Sequence, residues 1–271
     1  VGSEMGIRDR DESKVSASDN FNCDGGEDLF DGVGMQHIQC HNVYGHGPTT
    51  LQEAVMWSCN DALMQIGNRI GSEDMVKYHR LYGFGQVTGI DLPGEASAEN
   101  LVFDESTMGS FELATSAFGQ GFNLTMVQMV AAFSSILNGG HYYQPHVVRE
   151  ITTENGQVVK SFEKVLVRNT LSEETCDWLK EAMHQTVSDD GPNTTGTAAR
   201  VEGYTVGGKT GTAEKVPRGS GKYVVSFIGF APVENPRVVV YVVIDELEDN
   251  QEDSGAPTKM AGDILREILP Y

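Results

Sequence analysis

Along the first half of the chain, apolar residues recur at helical spacing between polar punctuation. In the second half they alternate. Thr50 and Glu53 form a capping-box pair that opens a helix over LQEAVMW. After Ser58, Cys59 and Asn60, a second periodic stretch places Leu63, Ile66 and Ile70 on one face, so the Ser-Cys-Asn triplet falls at a break between two helices. Ser72 is positioned to cap EDMVKYHRLY, which Gly83 stops, and 83–95 are too glycine-rich and irregular for either period, predicting an ordered loop. Thr125 and Gln128 repeat the capping box ahead of MVAAFSSIL, which Asn138, Gly139 and Gly140 end.

From Pro145 the period changes. HVVREIT and QVVKSF flank Glu154, Asn155 and Gly156, a hairpin signal, and a helix follows over SEETCDWLKEAMHQTV. Three strand patterns come next, YTVGGKTGTAEK, KYVVSFIGFAP and RVVVYVVIDE, before a last amphipathic helix, TKMAGDILREIL. Their short connections predict an antiparallel meander with the final helix on one face. The fold class is α+β: a helical lobe, then a sheet with helical cover.

Composition narrows the function. The chain has 271 residues, 39% of them hydrophobic, enough for one large core or two lobes sharing a cleft. A formal charge of −20 repels nucleic acid and anionic membrane surfaces. No run approaches the roughly 18 apolar residues of a membrane span, and the polar start VGSEMGIRDRDESK has no apolar core of a signal peptide. If the whole protein is anchored or exported, that signal is expected outside these residues. The acidic run from Asp245 to Asp253 lacks the spacing and glycine of a calcium loop and reads as a solvated turn. The four cysteines, Cys23, Cys40, Cys59 and Cys176, form no Cys-x-x-Cys pair. Cys23, His37, Cys40 and His41 match no common zinc spacing. Cys23 and Cys40 are either a disulfide, in an oxidising compartment, or two free thiols. Cys59 and Cys176 fall in helical patterns, where a buried small apolar side chain is the expectation.

Two motifs can carry chemistry. Lys209, Thr210, Gly211 and Thr212 sit on a strand after Gly207 and Gly208, offering an ammonium, two hydroxyls and unhindered backbone NH groups to a carboxylate and an oxyanion. Ser58 and Asn60, two apart at a helix break, can aim a hydroxyl and an amide into one cleft. Alone each motif is weak, since serine and asparagine are ordinary helix-end residues and strand glycines often mark only close packing.

In this order and with their surroundings, the motifs resemble the transpeptidase domain of class B penicillin-binding proteins, in the style of Gram-positive division or sporulation enzymes. The blocks that carry the resemblance are GHGPTTLQEAVMWSCNDALMQIGNRIG, YGFGQVTGIDLPGE, SAFGQGFNLTMVQMVAAFSSILNGG and GTAARVEGYTVGGKTGTAEK, with SFIGFAPVENP and the closing helix also fitting. The likeness covers about residues 12–271, and 1–11 read as a non-native or divergent start.

That resemblance implies a serine β-lactamase-like fold whose sheet also holds N-terminal strands this chain lacks, leaving the strand RVVVYVVID as an edge. It implies peptidoglycan cross-linking by acyl transfer from D-Ala-D-Ala stem peptides, inhibition by β-lactams, and no metal or other cofactor. By the same implication Ser58 relays a proton, Asn60 holds the stem-peptide amide, and Lys209 keeps the site positive. Thr210 and Thr212 bind the terminal carboxylate, the Thr212 NH supplies half of the oxyanion hole, and Gly211 lets the acyl group lie flat. The family's nucleophile belongs to a Ser-x-x-Lys helix that precedes Ser58. The one such tetrad here, Ser161–Lys164, follows a strand and comes after Ser58 in the chain. These 271 residues are therefore expected to be inactive alone, in a longer protein held at the outer face of the cell membrane beside a glycan polymerase and divisome or spore-wall proteins. A DD-carboxypeptidase or β-lactamase relative, and a non-catalytic scaffold, are the alternatives.

Overall fold

The structure, a computed structural model, describes residues 14–269 except 31, 33, 192 and 218; the expectation for residues 1–11 lies outside them. The described chain enters on four short strands that the hydrophobic pattern did not predict: β1 (Asn20–Cys23), β2 (Gly26–Phe30), β3 (Met35–Gln39) and β4 (Gly47–Thr50). They pair antiparallel as β1 with β4 and β2 with β3.

Helix α1 (Leu51–Met56) starts at Thr50 with both halves of the expected capping box in place. Helix α2 (Asn60–Ile70) buries Leu63, Ile66 and Ile70, as the spacing predicts. Helix α3 (Ser72–Leu81) departs from the prediction at its start: Gly71 is the N-cap, and Ser72 is already the first helical residue with no capping hydrogen bond. A positive φ of 84° at Gly71 turns the chain sharply out of α2, so the junction needs glycine where serine was expected to cap. Residues 83–95 are irregular, as expected. Two further helices complete the lobe, α4 (Ser110–Ala117) and α5 (Met126–Leu137), the latter with the Thr125–Gln128 capping box.

The remainder follows the predicted order. Strand β5 (His141–Tyr143) pairs with β8 (Leu166–Asn169), and between them β6 (Glu150–Thr152) and β7 (Val158–Ser161) form the Asn-Gly hairpin. Ser172 caps helix α6 (Glu173–Ser188). Strands β9 (Gly207–Glu214), β10 (Tyr223–Ala231) and β11 (Val238–Asp245) form the antiparallel meander, with β11 at one edge among the described residues, and helix α7 (Gly255–Ile268) packs on β10 and β11.

The sheet separates two cores. Phe230 joins a large cluster with Phe133 of α5, Leu179 of α6 and the inner faces of α1 and α2. Phe227 joins a smaller one with Val187, Ala261 and Leu265 beneath α7. Helix α6 packs on β9 and also on α1, so one helix fixes the lobe to the strand that carries Lys209.

His79, in α3, is buried between Phe84 and Phe122, and neither ring nitrogen has a hydrogen-bond partner. Burial lowers its pKa to about 4. The unfolded imidazole titrates near ~6.5, so the neutral form favours folding. That contribution is fully present above the unfolded pKa and is lost as pH falls through about 4, by roughly 3 kcal/mol in all. Urea unfolding between pH 7 and pH 4 should show this slope, and His79→Phe should flatten it.

Candidate active site

The Ser58 turn is built by the end of α1. Trp57 NH donates to Glu53 O, Ser58 NH to Val55 O and Cys59 NH to Ala54 O, the bond pattern of a Schellman motif. Ser58 takes its left-handed position with φ of 52°. Glycine normally stands there, and an L residue costs about 1–2 kcal/mol. The turn reverses the chain, so that Ser58 faces the sheet while Cys59 heads α2 as its N-cap.

Lys209 comes from β9. Its side chain is buried, Nζ donates to Ser58 Oγ, and the same Nζ lies 3.3 Å from the Thr210 carbonyl oxygen. Two motifs 151 residues apart in sequence therefore meet at one hydrogen bond. Thr210 Oγ1 lies 3.0 Å from Thr195 Oγ1, and Gln120 Nε2 donates to the Thr212 carbonyl oxygen at 3.4 Å. Thr210 and Gly211 are half-buried and Thr212 is exposed, which leaves this end of β9 open to a ligand. Gly211 faces Ser226 across the ladder, and a Cβ at Gly211 would stand 2.6 Å from Ser226 Oγ. Asn60 begins α2, with Nδ2 3.5 Å from the Gln39 carbonyl oxygen.

The structure thus brings Ser58, Lys209, Thr210, Gly211 and Thr212 together and sets Asn60 two residues from the contact. Sequence reasoning assigned nothing to Thr195 or Gln120. Gln120 lies in a block it had singled out, SAFGQGFNLTMVQMVAAFSSILNGG, and Thr195 directly precedes another, GTAARVEGYTVGGKTGTAEK, but their partners on β9 are 92 and 15 residues away. A hollow of about 410 Å³ beside α1 is lined by Thr50, Met56, Trp57 and Gln185, and neither Ser58 nor Lys209 lines it. Ser58 and Lys209 are instead placed by their hydrogen bond at the edge of the sheet, which is the stronger guide to chemistry than a hollow of that size.

Strain at Ser58 gives a test of this geometry. Ser58→Gly should remove the left-handed penalty of about 1 kcal/mol, holding or raising the melting temperature. It also removes the hydroxyl that receives Lys209. Stability held or raised despite that lost contact is the expected outcome, read by thermal unfolding.

Of the two expected states of Cys23 and Cys40, the structure shows free thiols, and Cys176 is buried as expected. His37 Nδ1 lies 2.8 Å from Asp28 Oδ1 on the exposed β2–β3 hairpin, remote from the sulfurs because it points to the outer face of β3. Cys59 is the N-cap of α2, because the chain breaks at Ser58, and is also fully buried in the large core, as expected of a small apolar side chain. Cys23, Cys40 and Cys59 are free thiols, buried together with half-buried His46. A hydrogen bond from Cys59 holds the Cys40 thiol below its ordinary range, and the same contact pushes Cys59 up.

The model of the penicillin-binding protein transpeptidase domain matches residues 10–269. Stage V sporulation protein D of Bacillus subtilis (strain 168) is 39% identical over 265 residues, which cover 96% of this chain and 40% of that protein. The probable peptidoglycan D,D-transpeptidase PenA of Neisseria flavescens is 30% identical over 268 residues, with 96% and 59% covered. The crystal structure of penicillin binding protein 3 from Mycobacterium tuberculosis complexed with ampicillin shares the fold, with a TM-score of 0.83 over 99% of this chain and 60% of that one at 24% identity. The chain spans 40% of the length of the sporulation protein and 59% of PenA.

Proposed function

Since this chain belongs to the penicillin-binding protein transpeptidase domain family, we propose that it forms the substrate-binding and proton-relay part of a peptidoglycan DD-transpeptidase. The observation that carries this reading is the hydrogen bond from Lys209 to Ser58 beside the open Thr210–Thr212 edge of β9. The substrate is a stem peptide ending in D-Ala-D-Ala, and a β-lactam takes its place.

In the reaction, a serine oxygen bonds to the penultimate D-alanine carbonyl carbon and the C–N bond to the terminal D-alanine breaks. The serine proton passes to the departing amine through Ser58, held by Lys209. An amine of a second stem peptide then displaces the serine, restoring its proton and leaving the cross-link. Thr210 and Thr212 hydroxyls hold the terminal carboxylate, with Thr195 orienting Thr210 and Gln120 fixing the Thr212 peptide. The Thr212 NH stabilises the developing oxyanion. Gly211 keeps the strand flat under the acyl group, and Asn60 receives the stem-peptide amide.

The nucleophile is assigned to chain beyond these 271 residues. Ser161 ends β7 on an exposed hairpin, and Lys164 lies past the strand, also exposed. No helix among the described residues is long and apolar enough to cross a membrane; attachment to the outer membrane face, and work beside a glycan polymerase and divisome or spore-wall proteins, belong to the longer protein.

Fluorescent penicillin tests the proposal. The longer protein carrying a Ser-x-x-Lys helix ahead of this region should label covalently, and residues 1–271 alone should not. Labelling of residues 1–271 would overturn the placement of the nucleophile, and no labelling of either would overturn acyl transfer.

A further inference from the structure

Four donor atoms from four separate places in the chain converge beside the Ser58 turn. Cys23 ends β1, Cys40 follows β3, His46 precedes β4 and Cys59 caps α2, and their Sγ and ring-nitrogen atoms all lie within 4.8 Å of one another. Cys23 Sγ is 3.3 Å and Cys40 Sγ 3.9 Å from His46 Nδ1. A tetrahedron with Zn–S bonds of about 2.3 Å and a Zn–N bond of about 2.0 Å has S–N edges near 3.5 Å and S–S edges near 3.8 Å. The observed spacing needs shifts of only a few tenths of an ångström along these two edges. The three thiols are 1%, 2% and 0% exposed.

The surroundings hold this arrangement from several sides. Pairing of β1 with β4 sets Cys23 opposite Gly47 and so brings His46 alongside. Cys40 NH donates to Gly25 O at 2.8 Å, tying the second ligand to the loop after the first. Buried Asp61, in the first turn of α2, accepts from the NH groups of Asp24 and Gly25 at 2.9 and 3.3 Å. The His46 ring stacks on Trp57 with centroids 5.6 Å apart, which fixes its orientation. A disulfide between Cys23 and Cys40 would use two of these groups and leave buried Cys59 and His46 unaccounted for; one metal ion uses all four.

We propose that Cys23, Cys40, His46 and Cys59 form a closed tetrahedral site for zinc(II), which clamps the Ser58–Asn60 turn to the β1–β4 pair. Three thiolates and a neutral imidazole complete the coordination, each thiol giving up its proton as the metal enters. Such a closed set, with no position left for water or substrate, is a structural centre. Soft thiolate ligands select against magnesium and calcium. The metal acts on the active site through Cys59, which lies between Ser58 and Asn60, and its occupancy does not depend on the acyl-transfer reading.

The test uses residues 1–271 purified under reducing conditions without added metal. Elemental analysis should give about one zinc per chain, and cobalt(II) in its place should show the intense visible bands of a tetrahedral thiolate complex. His46→Ala removes the ligand nearest solvent without opening the core. It should weaken zinc binding, measured by chelator competition, by more than the roughly 10–100-fold that loss of a supporting partner costs. Stripping the metal should raise hydrogen exchange at the amides of 57–62 about tenfold or more while β10 is unchanged. A metal-free protein with three reduced thiols, or a Cys23–Cys40 disulfide found by non-reducing peptide mapping, would overturn the site. Unchanged affinity in His46→Ala would overturn the ligand set, and unchanged exchange after stripping would overturn the clamp.

Discussion

Lys209→Ala, placed in the longer protein that carries the nucleophile, is expected to lower the rate of β-lactam acylation by about 10²–10⁴-fold. Lys209 is only 7% exposed, and its Nζ is shared between Ser58 Oγ and the Thr210 carbonyl. Alanine removes both the positive group beside the threonines proposed to bind the carboxylate and the donor that fixes the Ser58 hydroxyl. The carboxylate and the proton relay fail together. Lys209→Arg should not rescue the rate, because the guanidinium is a wider, planar fork than the ammonium buried between Ser58 Oγ and the Thr210 carbonyl oxygen. The measurement is the second-order acylation rate with a chromogenic β-lactam, alongside thermal unfolding to show that β9 is intact. A loss smaller than tenfold with the fold preserved would remove Lys209 from the machinery.

The sequence carried those parts of this site whose signals are local. Both capping boxes, the Asn-Gly hairpin and the β9–β11 meander follow from residues within a few positions of one another, and the structure places each as expected. Strands β1 to β4 escaped because they are only four or five residues long, too short for a period to stand out, and in β2 and β3 a single residue is buried. Their pairing is what carries His46 to Cys23, and so the metal-ligand set was invisible to any rule of spacing along the chain. Ser58 escaped in another way. A left-handed position is announced by glycine or asparagine, and here a serine occupies it, so the helix break was legible but not the turn that aims the hydroxyl at Lys209. Lys209 and Ser58 were nominated by motif; that they touch depends on α6 packing against both α1 and β9.

The packing under β9 supplies the second large effect. Gly207 and Phe230 are directly opposed in the ladder, and a Cβ on Gly207 would stand 2.5 Å from the Phe230 ring. The ring lies over the bare glycine and meets Phe133 of α5 edge-on, with centroids 5.9 Å apart. It therefore fills space on the sheet face that the helical lobe covers. Phe230→Ala should cost about 3–5 kcal/mol, read from the urea midpoint. Gly207→Ala alone should cost about 1–3 kcal/mol, because the new methyl forces the ring out of its place. In the double variant the methyl enters the space the ring has left, with the His184 backbone nitrogen 3.3 Å away as its nearest remaining neighbour. The two losses should then fall short of additive by about 1 kcal/mol or more. Strict additivity would mean that Gly207 is tolerated for some reason other than the ring, and the close approach of the lobe to the strand bearing Lys209 would need another cause.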